Sequence, residues 1–336
     1  MSASAKIAIL GAGSWGATLA RIFAIAGKQV CLYTRDSVKA EFINRQHEIT
    51  KPIAVSIPES VRASSDLGEV LADARIVIFC CTSQSVRELA NNVAPLIEKN
   101  SATPPIIVSA VKGLELETLY RMSEVIHEVI PGLEVCCLSG PNLAPEIVRG
   151  LPAASVIASA DSKTAGIIQQ ELSISKFRLY TNNDMIGVEL GGTLKNVIAI
   201  AAGGADGLKL GSNAKAALLT RGLAEMTRLA VSMGAKPLTL AGLAGMGDLL
   251  ATCETTASRN YRLGNEFVKG KALTQIFAEI GAVVEGVPTA RAVCELSKRL
   301  KIDMPIAQQV DEGLSGKTSA EGAIMTLMSR PLGSEQ

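Results

Sequence analysis

The sequence predicts an α/β Rossmann domain with a mostly parallel sheet, followed by an all-α C-terminal domain. Three observations carry this prediction. Apolar strand-like runs alternate with amphipathic segments through the first half of the chain. The first of these runs leads straight into a glycine-rich turn. Beyond the stretch Gly187–Gly203 nearly every segment repeats its apolar residues at helical spacing.

Composition narrows the function classes. At 336 residues the chain is long enough for two sizeable cores. Hydrophobic residues at 48% and charged residues at 19% fit a well-buried globular protein. A net charge of +1, with no basic block, gives no electrostatic case for nucleic acid or for an anionic membrane. Aromatic residues at 3% leave little on which bases could stack. The 7 cysteines form no C-x-x-C pair, and Cys80-Cys81 and Cys136-Cys137 fall inside apolar runs, where a free thiol behaves as a small hydrophobe. A reducing compartment, the cytoplasm, is therefore expected. The glycine turn at residue 11 leaves no room for a signal peptide. The most apolar long window, Ile186 to Ala205, holds Glu189, Lys195 and several glycines and is not read as a membrane span.

The chain opens on the apolar run Lys6–Leu10, then Gly11-Ala-Gly-Ser-Trp-Gly16, then a helical pattern from Ala17 to Ala26. Strand, glycines and helix in that order form a dinucleotide fingerprint. Gly11 allows the tight turn, Gly13 lets backbone amides approach a pyrophosphate, and Gly16 lets the helix pack against the strand. The first-turn amides and the helix dipole then favour phosphate. The second strand, Gln29–Tyr33, ends in Thr34-Arg35-Asp36. An acid at this tip binds the ribose 2′-hydroxyl and an arginine accommodates a 2′-phosphate, so the expected cofactor is NADP or NAD. Asp36 lies about 20 residues beyond Gly16, yet it also reads as the N-cap of the next helix. Arg35 is the favoured reader.

Further strands are expected at Ile76–Cys80, Ile106–Ala110, Val135–Leu138, Ser155–Ser159 and Phe177–Tyr180. Most are continuous apolar runs, as a sheet buried on both faces requires, and the default joining them is the right-handed crossover between parallel strands. Ligands collect beyond the C-terminal strand ends. Those ends read Thr82-Ser83, Val111-Lys112-Gly113 and Ser139-Gly140-Pro141-Asn142, and Lys112 is the only charge among them.

Lys195 stands in the middle of the apolar stretch that follows. On a helix it faces Gly191, Gly192, Ile198 and Ala199, none of which can pair with its charge. An ammonium so placed needs a distant partner, a water-filled cleft or a ligand, unless it lays its stem over the surface and its head in water.

Helices are then expected at Ala214–Met233, Tyr261–Val268, Leu273–Ile280, Thr289–Leu300, Ile306–Leu314 and Thr318–Met328. Residues 331–336 read as a frayed tail. Ser258-Arg259-Asn260 offers amides, a hydroxyl and a guanidinium at one helix N-terminus, a phosphate site by construction if the arginine is not merely solvated. Asp248, after Gly242-Leu-Ala-Gly-Met-Gly247, also reads as an N-cap. Ala282–Pro288 reads as a turn before proline.

Together these stretches resemble the bacterial-type NAD(P)-dependent sn-glycerol-3-phosphate dehydrogenase family. Gly11-Ala-Gly-Ser-Trp-Gly16, Lys112-Gly-Leu-Glu115, Ser139-Gly-Pro141, Gly191-Gly-Thr-Leu-Lys-Asn196, Thr220-Arg-Gly-Leu-Ala-Glu225, Gly245-Met-Gly-Asp-Leu249, Ser258-Arg-Asn260 and Val284-Glu-Gly286 match its pattern in order. The resemblance implies a dinucleotide-binding domain over residues 1–183 and a helical substrate and catalytic domain over 184–330, with interconversion of sn-glycerol 3-phosphate and dihydroxyacetone phosphate, for glycerophospholipid synthesis, in the cleft between them. It implies Lys195 as the proton-transfer group. It places Ser14, Trp15, Arg35, Lys112, Ala144, Arg259, Val283 and Glu285 at the cofactor. Lys112, Gly140, Asn142, Lys195, Asp248, Ser258, Arg259 and Asn260 would contact the substrate. A homodimer is left open. Where the family more often has Ser-Gly-Pro-Thr-Phe-Ala-Lys-Glu this chain has Ser139-Gly-Pro-Asn-Leu-Ala-Pro-Glu146, and Thr82 replaces a usual proline. Asn142 keeps the capacity to hydrogen-bond, and Pro145 removes a charge.

The chemistry agrees with this. The 2 histidines, His47 and His127, lie away from the strand tips, and no metal cluster is read. A lysine is then the best available acid or base. Its protonated form suits ketone reduction; alcohol oxidation needs the neutral amine, which neighbouring cations such as Lys112 and Arg259 favour. Two other readings compete. A 3-hydroxyacid or 6-phosphogluconate type dehydrogenase usually has an asparagine four residues after its lysine, where this chain has Ala199. A non-catalytic dinucleotide sensor leaves both Lys195 and the Ser258-Arg259-Asn260 turn unexplained.

Overall fold

The computed structural model describes residues 5–100 and 104–332. Residues 1–4 of the first expected domain and 333–336 of the expected tail lie outside the described residues. The strands are Lys6–Leu10 (β1), Val30–Tyr33 (β2), Glu48–Ile49 (β3), Val55–Ser56 (β4), Arg62–Ser64 (β5), Ala74–Phe79 (β6), Ile106–Ser109 (β7), Val135–Ser139 (β8), Ala153–Ala158 (β9) and Phe177–Asn182 (β10). Eight of them form one sheet in the order β10-β9-β8-β7-β6-β1-β2-β5, while β3 and β4 pair as a separate hairpin.

The sheet is buried on both faces. Ile7, Ile9, Ile76 and Ile78 point into one apolar cluster, while Ala8, Leu10, Val77 and Phe79 point into another. This is the period of two expected of strands covered by helices on either side. Neighbouring strands run parallel except β8 and β9, which are antiparallel. Here the expectation of parallel crossovers fails, for a reason of length. The only helix between β8 and β9 is Ala144–Val148, of 5 residues. It spans roughly 7 Å, too little to carry the chain back along a strand of roughly 20 Å. The sequence reading also missed β5 and the hairpin, which are too short and polar to show a period.

From Met185 the chain is helical. The helix Met185–Gly207 is apolar all round because other helices surround it. By length and composition it could cross a membrane, but 83% of its most apolar window is buried inside the protein. The Asp184 side chain caps its N-terminus, accepting from Gly187 N at 2.9 Å, and also accepts from Lys236 N at 2.8 Å. Against it pack the helices Gly211–Ser232, Asp248–Cys253, Arg259–Phe267 and Gly286–Leu300.

Two local readings are corrected here. Ala282–Pro288 is not all turn: Gly286 opens the helix that runs to Leu300, with Pro288 in its first turn, where a missing N–H costs nothing. Asp248 is not an N-cap either. The cap position is Gly247, which follows a single π-helical turn, Leu243–Gly247, and Asp248 is the first helical residue.

Candidate active site

The predicted lysines meet at one carboxylate. Lys112 follows the C-terminal end of β7, and Lys195 lies on the central helix. Asp248 Oδ2 is 2.5 Å from Lys112 Nζ, and Asp248 Oδ1 is 2.9 Å from Lys195 Nζ. Lys195, read from sequence as lacking a local partner, thus has one from more than fifty residues away. Lys195 Nζ also donates to Thr252 Oγ1 at 2.5 Å, and that hydroxyl donates to Asp248 Oδ1 at 3.3 Å. Lys112 Nζ donates its second hydrogen bond to the carbonyl of Gly140, at 3.1 Å. Lys195, Asp248 and Thr252 are buried and Lys112 is half-buried. Burial pushes the Lys112 ammonium down to about 8; Asp248 opposes that shift and the charge of Lys195 adds to it.

Close approach of backbones makes this geometry attainable. A Cβ on Gly191 would lie 2.6 Å from Ala244 O, and one on Gly192 would lie 2.2 Å from Ser139 Oγ and 3.3 Å from Lys112 Cε. The paired glycines therefore let the helix carrying Lys195 lie against both the Asp248 turn and the Lys112 loop. The amide of Gly113 donates to Thr193 Oγ1 at 3.0 Å and fixes that loop to the same helix.

A second cluster adjoins the first. Ser258 caps the helix Arg259–Phe267, its hydroxyl accepting from Tyr261 N at 3.2 Å. The amides of Arg259 and Asn260 open that helix and have no acceptor within it. The Asn260 side chain is already engaged. It donates to Asn196 Oδ1 at 2.8 Å and accepts from Gly286 N at 2.9 Å. What Asn260 presents to a ligand is therefore its backbone amide. Since Asn196 is next to Lys195, the helix N-terminus and the lysine pair are tied through adjacent residues. Arg259 Nη1 donates to Val283 O at 2.7 Å.

Asn142 makes no hydrogen bond to either cluster among the described residues. Its amide donates to Ser155 Oγ at 3.0 Å. Its Oδ1 and the Ser139 hydroxyl are buried with no partner among the described residues.

The glycine turn fits a dinucleotide phosphate. Gly11 has φ +132, and a Cβ on Gly16 would sit 1.9 Å from Gly11 O. The helix Ser14–Ile25 has no side-chain cap and no acid in its first turn. A Cβ on Gly13 would meet nothing within 4 Å, so open space lies before the first-turn amides of Ser14 and Trp15. At the tip of β2, Arg35 is exposed, whereas Asp36 is spent as an N-cap, accepting from Lys39 N at 3.1 Å. The bland reading of Asp36 is the one the structure bears out.

Sequence reasoning missed four residues here. Lys39 Nζ donates to Ala12 O at 2.8 Å and brings a second cation to the glycine turn. Thr252 lies one helical turn beyond Asp248, and that spacing was the signal available for it. Asn196 looked like a mere neighbour of Lys195. Ser83 was read only as part of a strand tip, yet its amide and hydroxyl both donate to Glu285, at 3.1 and 2.6 Å. Ala144 opens the short helix after β8, near neither lysine in hydrogen bonding.

Comparison with known proteins places the chain. The family model described as NAD-dependent glycerol-3-phosphate dehydrogenase N-terminus matches residues 6–165, and its C-terminal counterpart matches residues 184–325. A glycerol-3-phosphate dehydrogenase (NAD(P)+) of Thermoanaerobacter sp. (strain X514) is 45% identical over 326 residues, 97% of each chain. One from Chlorobium phaeobacteroides (strain BS1) is 44% identical over 329 residues, again 97% of each. The crystal structure of glycerol-3-phosphate dehydrogenase from Coxiella burnetii superposes with a TM-score of 0.91 at 36% identity, covering 97% of this chain and 99% of that one. With matching models over both halves and relatives of this identity along nearly its whole length, the chain belongs to the NAD-dependent glycerol-3-phosphate dehydrogenase family.

Proposed function

We propose that the chain catalyses reversible hydride transfer between NAD(P)H and dihydroxyacetone phosphate, giving sn-glycerol 3-phosphate for glycerophospholipid synthesis. The observation that carries this is the buried Lys195, held by Asp248 and Thr252. An ammonium has three N–H donors, and two of these are engaged, at 2.9 and 2.5 Å. The third is the one we assign to the substrate ketone.

Bound NAD(P)H supplies the hydride that reduces the carbonyl carbon. Lys195 polarises the carbonyl and gives its free proton to the oxygen as the alkoxide forms, then recovers a proton from solvent after the alcohol leaves. In the reverse direction the neutral amine takes the hydroxyl proton. Asp248 holds the two ammoniums in place, and Lys112 adds a second positive charge beside the reacting oxygen. The phosphate is assigned to the first-turn amides of Arg259 and Asn260 with the Arg259 guanidinium. Ser14, Trp15 and the glycine turn hold the dinucleotide phosphates, and Arg35 the 2′-phosphate when NADP is used. We take 1–183 as the dinucleotide-binding domain and 184–330 as the helical domain that carries Lys195.

The test is turnover by the purified chain. NADPH should be consumed with dihydroxyacetone phosphate and much less with unphosphorylated dihydroxyacetone. 6-Phosphogluconate with NADP should give no reaction. Equal rates with 6-phosphogluconate would favour the hydroxyacid-type reading, and cofactor binding without turnover would favour the sensor.

A further inference from the structure

The Glu285 carboxylate crosses from the helical half of the protein to the tip of β6. Its Oε1 accepts from the Ser83 amide at 3.1 Å and its Oε2 from the Ser83 hydroxyl at 2.6 Å. Both oxygens are thus held by one residue, which fixes the plane of the carboxylate as well as its position. Ser83 is 3% exposed, and its Cβ lies 2.5 Å from where a Cβ on Gly113 would be, so the serine itself cannot shift toward the Lys112 loop. From the other side, the next residue after Glu285 is anchored too: Gly286 N donates to Asn260 Oδ1 at 2.9 Å, and Asn260 in turn binds Asn196. Burial raises the Glu285 carboxyl above the usual carboxylate range, and the two bonds from Ser83 and the charge of Arg259 oppose that shift; the Cys81 thiol on the β6 side, pushed up to about 12 by burial, stays neutral. Cys80, just before it, abuts the glycine turn, since a Cβ on Gly11 would meet Cys80 O at 2.7 Å.

We propose that Ser83 is a positioning residue for the dinucleotide, acting through Glu285: its paired N–H and O–H bonds hold the carboxylate at the cofactor side of the cleft and clasp the two halves of the protein there. This rests on the reading that Glu285 faces the cofactor. Among the described residues Ser83 makes no hydrogen bond to Lys112, Lys195 or Asp248; besides Glu285 its hydroxyl meets only the Gln84 side-chain amide, at 3.2 Å.

A double-mutant cycle tests it with NADPH alone as probe, followed by energy transfer from Trp15, the 1 tryptophan of the chain, which sits in the glycine turn. Ser83→Ala removes a hydrogen bond to a charged group and should weaken NADPH binding by about tenfold or more. Glu285→Ala should weaken it at least as much. In the Glu285→Ala background, Ser83→Ala should add less than about twofold, since the two residues act as one. Exchange of the Ser83 amide in the cofactor-free protein should speed up in Glu285→Ala. Additive losses, unchanged affinity in Ser83→Ala, or unchanged amide exchange would each overturn the clasp. Turnover plays no part in these readings. An inactive wild type that still showed the coupling would count against the proposed reaction and leave the clasp standing.

Discussion

Asp248 and Lys195 form a buried ion pair at 2.9 Å, and the second oxygen of the same carboxylate holds Lys112 at 2.5 Å. One anion thus neutralises part of two cations, leaving the site net positive before any ligand arrives. A buried pair is expensive to break from one side, and here breaking it from the Lys195 side still leaves Asp248 with Lys112.

Lys195→Ala should therefore fold and bind cofactor, but lose turnover by about 10²-fold or more, the loss expected when a positioned acid–base group is removed. Asp248→Asn should cost more in stability than Lys195→Ala, because it strands two ammoniums in place of one carboxylate. Thermal melting of the two variants beside steady-state kinetics checks both statements. A near-normal kcat in folded Lys195→Ala would remove the lysine from the chemistry.

The pH dependence follows from Lys112. Burial brings its ammonium down to about 8, so it is charged below that pH and neutral above it. The charged form attracts an anionic substrate and pairs with Asp248; the neutral form does neither. For dihydroxyacetone phosphate, kcat/KM should therefore fall as pH rises through about 8. In Lys112→Arg, whose guanidinium does not titrate in this range, the fall should move out of the range. A limb at the same pH in both proteins would assign it to another group.

Much of this was legible in the residues. The glycine turn, the strand tips and the isolated Lys195 locate the cleft because each breaks a local rule: too many glycines, or a charge amid apolar residues. The partners of those residues were not legible. Asp248 and Thr252 come to Lys195 from another helix, and Glu285 comes to Ser83 across the cleft, so no window of sequence contains either pair. Asp36 shows the opposite error. Its position satisfied a long-range fingerprint, yet its carboxylate is used three residues away, on Lys39 N at 3.1 Å. The reversed β9 was hidden because strand direction depends on the span of a connection, not on strand composition.

Cofactor choice is the next consequence. At the tip of β2, one oxygen of Asp36 is engaged as a cap, while Arg35 is exposed and Lys39 lies at the glycine turn. NADPH should be used at least as well as NADH. Arg35→Ala should raise KM for NADPH more than for NADH. An equal effect on both would show that Arg35 does not read the 2′-phosphate, leaving Lys39 as the cation to test.

Gly192 offers a purely steric test. A Cβ there would come within 2.2 Å of Ser139 Oγ and 3.3 Å of Lys112 Cε. Gly192→Ala should cost about 1–3 kcal/mol through overpacking, and it should lower kcat/KM for the substrate by pushing Lys112 off Asp248. Urea unfolding and kinetics check the two effects separately. Wild-type values in both would mean that the Lys112 loop gives way freely.

The substrate phosphate provides the last expectation. The N–H groups of Arg259 and Asn260 open a helix of 9 residues, where the positive end of the dipole adds to the guanidinium. The Asn260 side chain, held by Asn196 and Gly286, keeps that helix end in place beside Lys195. Dihydroxyacetone phosphate should thus be reduced far better than dihydroxyacetone. Arg259→Ala should narrow that preference by about tenfold to a hundredfold, the loss of one charge-assisted hydrogen bond. The same change frees the carbonyl of Val283, which Arg259 holds at 2.7 Å and which lies two residues before Glu285, so NADPH affinity should fall as well. The informative quantity is therefore the ratio of kcat/KM for the two substrates at saturating cofactor, from which a common loss of cofactor affinity cancels. If that ratio is unchanged in Arg259→Ala, the phosphate does not bind at this helix end, and Lys112 becomes the residue that recognises it.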